Sequence, residues 1–296
     1  MTATIAGLRR KIASASDLQS VVRAMKAQAA ASIEQYQRSV AALADYQRTV
    51  SLGLGVCLRR RALGPIPAGR RQRAVTIVVL GSDQGLVGRF NDVVGDLATT
   101  LITAQSTPVA IWTVGQRVRE SLVEDGETID RSFAVPTSVD AIGTLVGQLL
   151  VADEMRLDSN QLTELHLVYN QLAPAVTYRP VSVQLLPLDD GWRVREAATA
   201  WPTSGLPEVL EPDAETLAAF IREYLFVSLF RACAESLASE NTSRLAAMQR
   251  ADKNIDKVHQ TLSGEFHRLR QAGIDEELFD VVAGYEALQS QRGQRS

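Results

Sequence analysis

From Ile5 onward the chain sets an apolar or small residue at Leu8, Ile12, Ala15, Leu18, Val22, Met25, Ala29, Ile33, Tyr36, Val40, Leu43 and Val50, in steps of three and four. A polar gap falls at Gln47, no proline interrupts the run, and the first glycine after Gly7 is Gly53. A recurrence near 3.5 residues sustained this long predicts one helix with a narrow seam, suited to packing on another long helix. At about 1.5 Å per residue it would extend roughly 70 Å. A second long helix is predicted from Asp213, a candidate N-cap with Ala214 and Glu215 in the first turn. Leu217, Phe220, Ile221, Tyr224, Leu225, Leu229 and Phe230 form a wide apolar face, and Ile255, Val258, Leu262, Phe266 and Leu269 again step by three and four. The register breaks once before it resumes at Ile274, Leu278, Val281, Tyr285 and Leu288. Gly273 is read as a helix position, about 1 kcal/mol worse than alanine, with the helix continuing through it. Two terminal helices around a differently patterned middle predict that the chain's ends pair in space. Ala13, Ala15, Ala24, Ala27, Ala29 and Ala30 are expected to let them approach closely.

Between Arg73 and Pro187 the period changes. Val75 to Leu80 is a continuous β-branched run closed by Gly81-Ser82-Asp83, the pattern of a strand buried on both faces. Helices are expected at Asn91–Thr103, Gln116–Glu124 and Ser138–Met155, with Ser138 available as a cap, and further strands at Val109–Val114, Leu165–Tyr169 and Val181–Leu186. The alternation predicts a Rossmann-like α/β domain with a largely parallel sheet, its last two strands paired as a hairpin. The expected division is residues 1–58, an N-terminal helix; 59–73, a basic linker; 74–205, the α/β domain; and 206–296, a C-terminal helix.

A hydrophobic content of 46% and a charged content of 22% fit a folded, soluble chain, and a net charge of −3 gives no reason to expect nucleic-acid binding. The charge is uneven. Arg59, Arg60, Arg61, Arg70, Arg71 and Arg73 follow the first helix, and Asp275, Glu276, Glu277 and Asp280 lie near the end; both read as solvated surface. Cys57 and Cys233 make no disulfide framework and suit a reducing compartment. The N-terminus lacks the apolar core of a signal peptide. The most apolar helical run, Leu217 to Ala234, carries Arg222, Glu223 and Arg231 and does not qualify as a membrane span.

Candidate chemistry is sparse. The loop Gly81 to Asn91 stands where a dinucleotide-binding turn would, yet it has neither the GxGxxG spacing nor a Gly-Lys-Ser/Thr run, and the second strand ends without an acid to hold a ribose. Tight turning and close packing explain its three glycines without a ligand. His259 and His267 are too far apart for the i, i+4 spacing that binds a metal, and Asp189-Asp190-Gly191 reads as a turn. No catalytic residue, cofactor site or metal site is assigned.

Several segments, taken in order, resemble the gamma subunit of F-type rotary ATP synthases. Leu8 to Ile12 and Arg23-Ala24-Met25-Lys26 are similar to that family's "I…KI" and "TKAM" segments, and Ser82 to Asn91 to its "SDRGLCGGxN" loop. Ser239-Glu240, Arg244, Ala247-Met248, Ala251 and Asn254 follow its "SE…R…AM..A..NA" signature, and Arg270-Gln271-Ala272-Gly273-Ile274 with Glu277-Leu278 its "RQAxIT.E" segment. The resemblance covers nearly the whole chain and is weakest from Val118 to Asp158. It implies that the terminal helices wind into an antiparallel coiled coil, a central shaft whose tip turns inside a ring of alpha and beta subunits. The α/β insert would meet the epsilon subunit and the membrane c-ring, one copy of the chain would serve each complex, and ATP chemistry would belong to the beta subunits. The complex would lie on the cytoplasmic face of the inner membrane, with this chain peripheral. Arg23, Met25, Lys26, Arg270, Gln271 and Asp275 match the family's ring-facing positions and are the candidate partner contacts; Met25 also fits the seam.

The chain departs from the family at Gln28 and Ala29 to Ile33, which replace "MVAASKM", at Leu18 to Val22, at Val87, at Phe266-His267 and at Asp275. These changes suggest a divergent branch, of the hydrolytic, ion-pumping kind. The alternative reading is a Rossmann-like nucleotide-binding enzyme with helical dimerisation arms. A homodimeric coiled-coil scaffold fits less well, because two differently patterned helices suit pairing within one chain.

Overall fold

The computed structural model describes residues 4–60, 73–154, 162–173, 176–188, 190–205, 207–208 and 213–293. Two helices dominate: α1 (Ile5–Arg60) and α6 (Asp213–Gly293), of 56 and 81 residues. Between them lie β1 (Arg73–Leu80), α2 (Phe90–Thr103), β2 (Val109–Val114), α3 (Gln116–Glu124), β3 (Arg131–Phe133), α4 (Val139–Glu154), β4 (Leu162–Ala173), β5 (Val176–Leu186) and α5 (Asp190–Ala197). The described residues form two compact units, 4–28 with 246–293, and 29–245.

In the larger unit the strands are ordered β3-β2-β1-β4-β5. The first four run parallel, and β5 returns antiparallel along β4 as the expected hairpin. Because side chains alternate along a strand, β1 feeds two cores. Val75, Ile77 and Val79 pack with Val94, Ala98, Val118 and Leu122 of α2 and α3. Val78 and Leu80 face the other way, where Trp112, Leu167 and Tyr169 of the sheet meet Ile142 and Val146 of α4, Leu229 and Leu237 of α6, and Tyr36 of α1. Burial on both faces is why β1 reads as an unbroken apolar run. A third cluster joins Val50, Leu54 and Leu58 of α1 to Trp192 of α5, with Leu217, Phe220 and Tyr224 of α6 alongside. Here Gly53 is required: a Cβ at that position would lie 2.3 Å from the Phe220 ring. Trp192 stacks edge-on against Tyr224 at 5.0 Å, so Asp190-Gly191, expected as a turn, begins a helix held down by tertiary packing. Ser138 Oγ accepts from Ala141 N, as expected of a cap on α4.

In the smaller unit, contacts run antiparallel: Arg9 lies over Phe266, Gln19 donates to Asp252 and Asp256, and Lys26 to Asp252. The buried residues of α1, Leu8, Ala15 and Val22, recur every seventh position, and the half-buried Ile12, Gln19 and Lys26 do the same between them. Leu18, expected in the seam, is 58% exposed; the strict 4,3 alternation carries the seam from Ala15 to Gln19. The same correction applies on α6, where Val258 is 52% exposed and His259 is half-buried. Of the alanines expected to line the close approach, Ala15 and Ala29 are buried, while Ala13, Ala24, Ala27 and Ala30 are exposed. Helix α6 continues through Gly273, as expected.

Candidate functional site

The residues expected to face a partner fall into two groups within the smaller unit. Arg23 and Lys26 both reach Asp252, with Arg23 Nε 3.6 Å from one carboxylate oxygen and Lys26 Nζ 3.3 Å from the other. The Lys26 hydrogen bond holds the Asp252 carboxyl below the usual carboxylate range, helped by Gln19 and the Arg23 charge. Met25 is half-buried beside this cluster. Arg270, Gln271 and Asp275 are all exposed on α6. Sequence reading missed Asp252 and Gln19; a strict count of sevens would have placed Gln19 in the seam.

Beyond Gly273 the apolar pattern continues on α6 with no cover among the described residues. Ile274, Leu278, Phe279, Val281 and Val282 are 47–71% exposed, interleaved with exposed Asp275, Glu276, Glu277 and Asp280. A contiguous apolar face of this kind on an ordered helix marks a surface that another molecule covers.

The β1–α2 loop is held in place by the chain's own side chains. Helix N-termini attract anions, and at α3 Asp83 fills that role: its carboxylate accepts from Gln116 N at 2.9 Å and from Val135 N at 3.0 Å. Asn91 Oδ1 accepts from Ser82 N, and Asn91 Nδ2 donates to Ser82 Oγ, both at 2.9 Å. Gly115, at φ 114°, lies so close to Ser82 that a Cβ would sit 2.8 Å from its backbone nitrogen. The space beside the carboxyl ends of β1 and β4, where sheets of this kind bind ligands, holds fully buried Phe90, whose carbonyl accepts from Asn170 Nδ2 at 2.8 Å. Ser243 of α6 donates to the Val87 carbonyl from above. Among the described residues no group of His, Cys, Asp and Glu is arranged to hold a metal.

Two buried carboxylates lie on α6 in the larger unit, and one of them ties the helix to the sheet. Glu235 accepts from Arg231 Nε at 2.8 Å, and from Tyr169 OH and Gln171 Nε2 at 3.0 Å. Burial, and the negative charge beside it, push the Tyr169 hydroxyl well above the ordinary tyrosine range. Arg231 also donates to Gln47 Oε1 at 3.3 Å, so the polar gap in the α1 pattern is one end of this network. Glu240 pairs with Arg244 at 2.6 Å. Burial still outweighs that partner and raises the Glu240 carboxyl, with Asp83 adding to the shift. Of the matched segments, Ser82, Asp83 and Asn91 hold the loop to itself and to α3, Glu240 and Arg244 pair within α6, and Ser243 links the two through the Val87 carbonyl.

The comparisons agree with this architecture. A family model described as ATP synthase matches residues 4–288. The ATP synthase gamma chain of Granulibacter bethesdensis is 33% identical, over 97% of this chain and all of that one. The ATP synthase gamma chain of Anaeromyxobacter dehalogenans (strain 2CP-C) is 30% identical over 95% of this chain and 98% of its own. Among solved structures, a chain of the Euglena gracilis mitochondrial ATP synthase has a TM-score of 0.60 and 16% identity, over 97% of this chain and 95% of that one. A chain from the Tetrahymena thermophila mitochondrial ATP synthase central stalk and c-ring has a TM-score of 0.55 and 18% identity, over 78% of this chain and 99% of its own. The paired terminal helices, the mixed sheet between them and these matches along the whole length place the chain in the ATP synthase gamma chain family.

Proposed function

We propose that this chain is the non-catalytic rotor shaft that couples ion flow through a membrane c-ring to ATP synthesis or hydrolysis in a ring of alpha and beta subunits. The observation that carries the reading is the uncovered apolar end of α6, Ile274 to Val282, beside an antiparallel helix pair. A shaft must be stiff and must present a surface that interacts differently with its partners in different orientations, since a subunit shifts its partners' equilibrium only through differential contact. Arg23, Met25, Lys26, Arg270, Gln271 and Asp275 are the proposed contacts with the alpha/beta ring, the first three near the Asp252 cluster and the others close to the bare end. Residues 1–58 and 206–296 would form the shaft, and 74–205 the domain meeting epsilon and the c-ring. Among the described residues no helix is long and apolar enough to cross a membrane. The chain would be peripheral, on the cytoplasmic face of the inner membrane.

Co-expression with the alpha and beta subunits tests the proposal. A complex with one copy of this chain per three alpha/beta pairs is expected, and failure to associate refutes it. The departures at Gln28 to Ile33 and at Asp275 support assignment to a hydrolytic, ion-pumping branch; ATP synthesis by the reconstituted complex at a rate comparable with its hydrolysis would exclude that branch while leaving the shaft reading intact.

A further inference from the structure

We infer that the part of the alpha/beta ring covering the bare end of α6 is an apolar groove with one arginine or lysine in it, and that this cation pairs with Asp275. The inference rests on the shaft reading and adds to it the chemistry of the group that Asp275 meets.

At about 100° of rotation per residue, Ile274, Leu278, Phe279, Val281 and Val282 share one side of the helix. Glu276, Glu277 and Asp280 occupy the other side, open to solvent. Asp275 does not join them. It falls inside the apolar arc, between Phe279 on one flank and Leu278 and Val282 on the other, side chains that are 71%, 62% and 47% exposed. A helix with one wide apolar side is suited to lying in an apolar groove. Closing a groove over Leu278, Phe279 and Val282 takes Asp275 out of water with them.

A carboxylate withdrawn from water needs a positive partner, because apolar contact does not recover the loss of its hydration. Three carboxylates at packed surfaces of this chain have one: Glu235 has Arg231, Glu240 has Arg244, and Asp252, in the seam of the helix pair, has Arg23 and Lys26. Asp275 makes no hydrogen bond or ion pair among the described residues, and no lysine or arginine lies within four positions of it on either side. Its counter-ion has to come from the covering surface. The charge of the whole stretch points the same way, since Asp275, Glu276, Glu277 and Asp280 are negative with no cation between them. A second copy of this chain would bring the same acids against one another, which like-charge repulsion opposes. The complement is therefore apolar around a single positive group.

Exchange of the labelled full chain out of its assembled alpha/beta complex tests the pairing, and the sign of the effect decides. Asp275→Leu completes the apolar arc. Opposite a cation it leaves that cation covered and unpaired, and the chain should dissociate at least about thirtyfold faster; opposite a purely apolar wall it would dissociate more slowly. Glu276→Gln, on the far side of the helix, should change the rate by less than about threefold. Asp275→Lys should dissociate faster still, and replacing one arginine or lysine of the ring by glutamate should restore it. Asp275 is exposed in the free chain, so each variant should melt with the parent, which separates lost binding from lost folding. An Asp275→Leu chain held as tightly as the parent, or more tightly, overturns the pairing and leaves the shaft reading intact. So does an Asp275→Lys chain that no such reversal in the ring restores. If the parent chain does not associate with the ring, the shaft reading and the pairing fall together.

Discussion

Residues 29–245 hold their long helices against a sheet and further helices, whereas residues 4–28 and 246–293 form an antiparallel helix pair. In the first region α6 takes part in two hydrophobic clusters, and the buried carboxylates Glu235 and Glu240 are each provided with cationic partners. In the second, the buried apolar side chains are Leu8, Ala15, Val22 and Met248, and polar Gln19 and Asp252 sit in the seam itself. A layered region can enclose a charge and satisfy it; a two-helix seam is open at both sides and keeps polar groups half-solvated. The same chain thus draws stability from enclosed volume in one place and from a thin row of contacts in the other.

The largest effects should come from removing enclosed volume. Leu229→Ala deletes a side chain that is 1% exposed between sheet and helices and should lower unfolding free energy by about 2–5 kcal/mol. Leu8→Ala removes an equally covered side chain from a seam free to close up, so its loss should lie near the bottom of that range, about 2 kcal/mol. Denaturant titration of both variants checks the contrast; equal losses would show the seam to be as rigid as the layered core. Overpacking comes next. Ala29→Phe, at a position 1% exposed, should lose about 1–3 kcal/mol, whereas Ala13→Phe on the exposed side should stay within about 0.5 kcal/mol of the parent. An unchanged Tm for Ala29→Phe would place that residue outside the seam.

These contrasts also show where the sequence was readable. The strand Val109–Val114 and the helix Gln116–Glu124 were placed residue for residue, because an apolar run closed by Gly115 and a short amphipathic turn leave little ambiguity. β3 went unseen: Arg131 to Phe133 are three mostly exposed residues whose strand character comes from pairing with Trp112 to Val114. Helix α5 was hidden by a local turn signal that Trp192 overrides from inside the third cluster. Leu18 was assigned to the seam on hydrophobicity and Gln19 was not, although periodicity favours Gln19; the hydrogen bonds that make a seam glutamine acceptable come from residues more than two hundred positions away. The partners of the loop at Gly81 to Asn91, Asn170 and Ser243, cannot be foreseen from the loop alone.

The smallest expected effect on the free chain concerns charge. Burial raises the Glu240 carboxyl above its ordinary value, so folding favours the protonated form. Its contribution is therefore fully present below the unfolded-state pKa and is lost as pH rises through the raised folded value; at neutral pH the ionised group is a liability that Arg244 only partly offsets. Glu240→Gln keeps the shape and an acceptor for Arg244 while abolishing the titration. Its stability should fall less steeply than the parent's as pH rises from the ordinary glutamate range toward neutrality, and it should be no less stable at pH 7. Asp252 supplies the opposite control from the other region. Its carboxyl is held low by Lys26, so its contribution is present above the unfolded-state pKa and is lost as pH falls through the folded one. Asp252→Asn should flatten the acid side of the curve and leave the neutral side alone. Should both substitutions alter the same limb of the pH–stability profile, the distinction between an enclosed and a half-solvated carboxylate would not hold, and with it the contrast between the two regions.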